Sequence, residues 1–374
     1  MTAQETLAQL VAIDSVSSRS NAPIIEYLQH RCEAAGLVTR RFSYTDENGL
    51  EKINLVGLSE GSESPEIELA LVGHTDTVPY DPNWEHATRL TEAEGKLFGR
   101  GSCDTKGFIA AMLTAVEDID HKQLQRPLAL IFTADEEIGL RGAKHLAQVK
   151  PFQIRYSIIG EPTSLQPIRA GKGYSLGDVI VRGRESHSAY PALGASAIVR
   201  AARLISRLET IADQLKIDRH DGFDPPFTTL NVGVIKGGSA KNVIPGECRF
   251  TLEWRPIPTQ KPNHVLDLLH AAIEDEIRHD PDFHCEVNCD RNDSGFETDI
   301  QSPLVTFLES VTGKKAGSVA YGTEGAQMTI LGSEAVVLGP GDIREAHRTG
   351  EFVPVDQLNR CVDILSQAIT HFCY

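Results

Sequence analysis

Short apolar runs that stop abruptly at histidine or acidic residues are the feature that most restricts how this chain can fold. Ile67-Glu-Leu-Ala-Leu-Val-Gly73 leads directly into His74-Thr-Asp76, Leu128-Ala-Leu-Ile-Phe-Thr133 leads to Asp135-Glu136-Glu137, and Ile158-Ile-Gly160 meets Glu161. Near-continuous apolar runs of this length mark strands buried on both faces, the pattern of parallel sheets covered by helices. Between them, Phe108, Met112, Ala115 and Ile119 recur at helical spacing, so residues 106–119 read as a covering helix. Residues 23–35 repeat the pattern with Ile24, Ile25, Leu28 and Cys32, and Pro23 suits the first turn. The first half therefore predicts an α/β fold, a mostly parallel sheet flanked by helices.

The middle of the chain reads differently. A strand over 176–181, a long helix over 195–215, strands over 228–235 and 248–254, a helix over 263–277 and a short strand near 283–287 follow in turn. That β-α-β-β-α-β order is the order of a ferredoxin-like unit. The α/β pattern then resumes with a helix near 303–312, the run Ala335-Val-Val-Leu338 and a closing helix over 355–372. The expectation is a discontinuous catalytic domain, 1–174 and 288–374, with an inserted ferredoxin-like α+β domain, 175–287, serving as lid and dimerisation domain. At 374 residues the chain has length for both.

Composition removes several function classes. With 36 Lys+Arg against 52 Asp+Glu, the net charge of −16 argues against a nucleic-acid partner, which needs a basic face. No apolar stretch approaches the ~20 residues of a membrane span, and the start carries no basic, apolar leader. Seven cysteines, odd in number and mostly far apart, suit a reducing compartment better than a disulfide framework. A cytoplasmic enzyme or small-molecule binder is expected.

In open α/β sheets, ligands gather outside the carboxyl ends of the strands, where this chain places its histidines and acids. His74 and Asp76, two apart in an extended segment, point the same way, so His74 can ligate a metal while Asp76 orients its other ring nitrogen. Asp104 lies in the glycine-rich turn Gly99-Arg-Gly-Ser-Cys-Asp104-Thr-Lys-Gly107, where the plain alternative is a helix N-cap. For Asp135-Glu136-Glu137 the plain alternative is a helix start, whose dipole would favour them, while the functional reading gives adjacent members different tasks, one bound to metal and one free to accept a proton. Glu161 ends another strand, and His347 lies beyond the run Leu338-Gly-Pro-Gly-Asp342. Imidazoles and carboxylates without a thiolate suit a borderline divalent ion such as zinc. So many carboxylates point to a bridged pair of ions, as in two-metal hydrolases.

The motifs His74-Thr-Asp76, Gly101-Ser-Cys-Asp104-Thr-Lys-Gly107, Asp135-Glu136-Glu137 and Gly160-Glu161-Pro162-Thr163 together resemble the dinuclear zinc amidohydrolases of the aminoacylase and glutamate carboxypeptidase type. The resemblance covers nearly the whole chain and implies a zinc-exopeptidase-like catalytic domain. It implies two divalent metal ions, zinc with cobalt as a substitute, bridged by Asp104. His74 and Glu161 would complete one metal, Glu137 and His347 the other, with Glu136 as general base and Asp76 supporting His74. A small-molecule N-acyl amino acid substrate and a homodimer through the inserted domain are implied as well. In such a dimer His187, in Ser186-His-Ser-Ala-Tyr-Pro191, would reach the partner's site and steady the oxyanion. Without the resemblance it reads as a turn histidine. Asn242 and Arg255 match positions expected to hold the substrate carboxylate, with Lys172 as a second candidate cation, and Glu324 is a candidate partner for a substrate ammonium.

Three rival readings are weaker. Gly57-Leu-Ser59-Glu-Gly61 has the spacing of a nucleophile elbow, but a turn over 62–65 follows where that motif needs a helix. His279, His284, Cys285 and Cys289 lack the close C-x2-C pairing of a structural zinc site. A metal-bearing binding protein on the same fold is the non-enzyme alternative, since fold does not fix function. It would be favoured had Glu136 or a candidate ligand been replaced, and none is.

Overall fold

The computed structural model describes residues 1–59, 66–117, 119–120 and 123–374, so the turn expected over 62–65 lies outside the described residues. The chain forms two compact units. The first comprises Met1–Arg169, Glu297–Gly317 and Thr323–Tyr374, the second Ala170–Phe296 and Ser318–Gly322.

In the first unit, strands Leu128–Thr133, Glu66–His74, Gln153–Ile159 and Glu334–Val337 lie side by side in that order. Each pairing is parallel, setting His74 opposite Thr133, Val72 opposite Ile159 and Val337 opposite Ile159. All of Leu128–Thr133 is buried, as a strand covered on both faces requires. Outside this centre the sheet turns antiparallel, which makes it mixed. On one side stands the hairpin Val38–Thr45 and Glu51–Leu58, on the other Ile168–Gly171, which meets Glu334–Val337 at Ile168 and Val337. The hairpin escapes a pattern search because Val38–Thr45 has no buried residue to mark it.

Helices Ala3–Ala12, Lys106–Glu117 and Val355–Cys373 contribute Leu7, Leu10, Phe108, Met112, Leu365 and Ile369 to one apolar core. Thr2 opens the first of them with a capping box completed by Glu5. Gly160, at the end of Gln153–Ile159, has no substitute there: a Cβ would stand 2.2 Å from the Phe108 ring. That close approach seats Lys106–Glu117 against the strand end and so fixes the turn before it.

The second unit runs Ser175–Arg182, helix Ala197–Leu215, Thr229–Gly237, Glu247–Arg255, helix His264–His279 and His284–Asn292. Its sheet order is Thr229–Gly237, Glu247–Arg255, Ser175–Arg182, His284–Asn292, antiparallel throughout, the ferredoxin-like arrangement. Val179, Val181, Leu204, Leu208, Phe250 and Trp254 form its own core. A two-stranded ribbon pairs Ser186–His187 with Val243–Ile244. No helix among the described residues is long and apolar enough to cross a membrane.

Candidate metal centre

Parallel neighbours run in one direction, so the loops that follow them leave from one edge of the sheet. His74 is the last residue of its strand. Its Nδ1 donates to the main-chain carbonyl of Asp76 at 3.0 Å, which leaves Nε2 facing Asp104 Oδ1 at 2.9 Å. The other oxygen of Asp104 lies 3.1 Å from His347 Nε2, and that nitrogen is 3.0 Å from Glu137 Oε2. Asp104 therefore does not cap the following helix; its two oxygens face two imidazoles. The ligating atoms of His74, Asp104 and Glu137 all lie within 4.8 Å of one another. Glu161 is not part of that triplet, but it is buried, and its charge is felt with those of Asp104, Glu136 and His74. The peptide bond between Asp104 and Thr105 is cis.

Two local expectations change in detail. Asp76 does meet the other ring nitrogen of His74, but the hydrogen bond at 3.0 Å comes from its main-chain carbonyl, while its carboxylate Oδ1 stands 3.7 Å from that nitrogen. The carboxylate instead accepts the N–H groups of Glu136 at 3.0 Å and Glu137 at 3.3 Å, and the Ser17 hydroxyl at 2.8 Å. Asp135-Glu136-Glu137 do not open a helix: the next helix, Arg141–Val149, starts later, after left-handed Leu140. The N–H groups of Glu136 and Glu137 have no helical partner and take a charged acceptor from the neighbouring strand end.

The electrostatics follow from crowding. Loss of hydration raises Glu136 well above the usual carboxylate range, and Glu137, Asp104 and Glu324 add to it against the opposing charge of His74. Burial raises Glu161 in the same way, helped by Asp104 and Glu136. Burial works against a charged His74, yet the hydrogen bond and charge of Asp104 outweigh it, so that imidazole is raised well above its normal value. Asp104 and then Glu137 push His347 up to about 10. Closely packed carboxylates thus hold positive charge on each imidazole within reach. Oxygen and nitrogen atoms 3 Å apart, each with a lone pair to offer, repel unless a proton or cation lies between them, and this donor set fits divalent ions.

One important residue has no signature in the sequence. Glu351 is fully buried, and its Oε1 accepts the N–H groups of Cys103 at 2.9 Å and Asp104 at 3.0 Å. Its Oε2 accepts the N–H of Gly101 at 3.1 Å and the guanidinium of Arg100 at 2.6 Å. One carboxylate thus holds the turn that presents Asp104. The only clue is its place four residues after His347, which is too little to single it out.

The remaining candidates fall into two groups. Glu324, in the first unit, is 1% exposed, and neither of its oxygens has a hydrogen-bond partner. Burial pushes its carboxyl up to about 7, partly offset by the charge of His74. In the second unit the ribbon brings His187 and Asn242 together: the Asn242 carbonyl accepts from Ser188 N at 3.0 Å, and the exposed His187 accepts from Ala189 N through Nδ1 at 3.1 Å. Arg255 pairs with Glu253 at 2.7 Å and lies 4.7 Å from the centre of the Tyr174 ring. The buried Lys172 ammonium donates to the carbonyls of Pro225 at 2.7 Å and Phe227 at 2.6 Å. Among the described residues, His279, His284, Cys285 and Cys289 form no metal-ligating group. Ser59 accepts from Leu128 N at 3.1 Å, a structural task at the end of its strand.

Peptidase family M20/M25/M40 matches residues 70–371. An acetylornithine deacetylase of Myxococcus xanthus is 53% identical over 98% of this chain and 97% of its own length. One of Proteus mirabilis (strain HI4320) is 35% identical over 99% of this chain and 96% of its own. Among solved structures, a tripeptidase from Staphylococcus aureus superposes with a TM-score of 0.79 at 23% identity, covering 99% of this chain and 97% of that one. A dinuclear metal binding peptidase from the M20 family of Bacillus subtilis gives 0.68 at 13% identity, covering 99% and 97%. At those identities the two structures speak for the fold alone.

Proposed function

The chain belongs to peptidase family M20/M25/M40, a family of hydrolases, and from that premise we propose that it removes the acetyl group from N2-acetylornithine, giving ornithine and acetate for arginine biosynthesis. The observation that carries the chemistry is the set of His74, Asp104 and Glu137 around one point, with His347 against Asp104 and Glu137, and Glu136 close by and outside the candidate ligand set. The substrate is supported by two relatives of that name that match almost end to end.

His74, Asp104 and Glu161 would hold one divalent ion and Asp104, Glu137 and His347 a second, zinc suiting the donors best and cobalt substituting. Bound there, the pair would supply Lewis-acid polarisation of the amide carbonyl and make water more acidic. Glu136 supplies the base: with its carboxyl pushed upward by its surroundings, it takes a proton from the attacking water and later hands it to the departing amine. Asp76 fixes the N–H groups of Glu136 and Glu137, so that the base and one candidate ligand start from set positions.

Roles in the second unit rest on its motifs. His187 of a partner subunit would donate to the oxyanion. Asn242 and Arg255 would hold the substrate carboxylate, for which the arginine fork is suited. Lys172 is the weaker candidate, since two main-chain carbonyls already take its ammonium. Glu324 would meet the substrate ammonium, because a buried carboxylate without partners is costly until a donor arrives. Glu324→Ala is expected to raise KM for acetylornithine by roughly 10- to 100-fold, the size of a lost charged hydrogen bond. KM for an acyl amino acid with a neutral side chain should change far less; equal rises would remove Glu324 from substrate recognition.

A homodimer formed by the second unit is supported by exposed Ile198 and Val199 on helix Ala197–Leu215 and by Val234 and Ile235 on edge strand Thr229–Gly237. Light scattering is expected to give twice the 40.9 kDa chain mass, and a monomer at micromolar concentration would refute it. A cytoplasmic location is supported by seven free cysteines.

The deciding experiment follows acetate and amine release from N2-acetylornithine, acetylcitrulline and succinyl-diaminopimelate after chelation and again after zinc or cobalt is restored. Metal-dependent turnover strongest on acetylornithine is the expected result. Preference for another of the three would correct the substrate and leave the chemistry. No turnover on any, with metal bound, would favour a binding protein on the same fold.

A further inference from the structure

The acidic loop is gripped from a second direction that the catalytic roles above do not use. Asp135, immediately before Glu136, is buried and sits in the left-handed region at φ 54°, an uncommon conformation for a residue with a Cβ. Both of its carboxylate oxygens are engaged. Oδ1 accepts from the ammonium of Lys52 at 2.7 Å and Oδ2 from the hydroxyl of Tyr44 at 2.8 Å. Tyr44 and Lys52 stand directly opposite each other across the hairpin Val38–Thr45 and Glu51–Leu58, so one rigid strand pair delivers both donors.

Lys52 has no exposure to speak of, and its remaining donors go to the carbonyls of Ser17 at 2.5 Å and Arg19 at 3.0 Å. The Ser17 hydroxyl reaches Asp76, and Asp76 holds the N–H of Glu136. The contacts close a ring: Glu136 N–H to Asp76, Asp76 to Ser17, Ser17 to Lys52, Lys52 to Asp135, and Asp135 through one peptide bond back to Glu136. A buried lysine tied to a buried aspartate contributes little net stability compared with apolar packing. Its geometric effect is larger, since it fixes the residue that sets the direction of the next one.

We propose that Lys52 and Tyr44, acting through Asp135, are positioning residues for Glu136. The proposal rests on the reading of Glu136 as the general base. Misplacing a catalytic group by about 1 Å costs on the order of 100-fold in rate, while ground-state substrate binding need not change. Tyr44→Phe keeps the ring and the Lys52–Asp135 pair; Lys52→Met keeps the length of the side chain but removes the charge.

The test measures kcat and KM on N2-acetylornithine, with bound metal counted by elemental analysis, for Tyr44→Phe, Lys52→Met, Glu136→Gln and the double variant Glu136→Gln/Tyr44→Phe. Expected are kcat losses of roughly 5- to 20-fold in Tyr44→Phe and about 100-fold in Lys52→Met, with KM and metal content unchanged. In the Glu136→Gln background, Tyr44→Phe should have no further effect, because a residue that acts only through the base has nothing left to position. Should Lys52→Met fail to fold, Tyr44→Phe and the double variant still decide. Loss of turnover in Glu136→Gln with kcat intact in Tyr44→Phe overturns the positioning role alone. Equal losses from Tyr44→Phe in both backgrounds overturn it as well. Turnover retained in Glu136→Gln overturns the base reading and this proposal with it.

Discussion

Replacing Glu136 by Gln is expected to lower kcat by about 100- to 10,000-fold, the usual contribution of a positioned general base, while leaving the bound metal in place. The change preserves the shape of the side chain and leaves untouched the N–H that Asp76 accepts, so the loop keeps its course. What disappears is the group that can take a proton from water and then return one to the amine. Metal should stay because Glu136 is outside the candidate ligand set. Removing one negative charge also relieves repulsion among Glu137, Asp104 and Glu161, whose carboxyls crowd the same space. The pairing of intact metal content with lost turnover is therefore the informative result. A variant that turns over normally would mean that another group carries the proton, and loss of metal would mean that Glu136 is itself a ligand.

The architecture of the first unit was legible because its signal is local. A strand buried on both faces needs a run of apolar residues, and the run's end announces the residues delivered to the sheet edge. His74, Glu137 and Glu161 become candidates this way, His74 as the last residue of its strand and the other two just beyond the ends of theirs. What lay outside that logic depends on turns and on distant partners. The direction of the Asp76 carboxylate depends on how the chain bends after His74, and the sequence carries no signal for a main-chain carbonyl taking the imidazole. The acidic triplet looked like a helix start, but Gly139 at φ 115° and Leu140 at φ 59° delay the helix to Arg141. The hairpin of Tyr44 and Lys52 was missed because its outer strand is half exposed and rich in charge, so no apolar run marks it. Lys52 in particular looks like any surface lysine until the fold buries it.

Glu351 shows the same limit at longer range, 247 residues from the aspartate it supports, and it leads to the second large effect. Glu351→Ala is expected to lower the unfolding free energy by about 3–5 kcal/mol, because it strands the guanidinium of Arg100 in the interior without its counter-charge. It also leaves the N–H groups of Gly101, Cys103 and Asp104 without their common acceptor. Denaturant titration of the metal-free protein measures the first part cleanly. The second part should show in the metal, since the turn that presents Asp104 to His74 and His347 would lose its support. A loss of about 10- to 100-fold in metal affinity is expected, typical of removing a group that orients a ligand. Glu351→Gln separates the two contributions, for its amide oxygen can still accept from the turn while its charge on Arg100 is gone. That variant should lose most of the stability and keep more of the affinity. If Glu351→Ala unfolds at the same denaturant concentration as the parent, the Arg100 pair is not a true buried ion pair. If its metal affinity is also unchanged, the Asp104 turn holds its shape without Glu351.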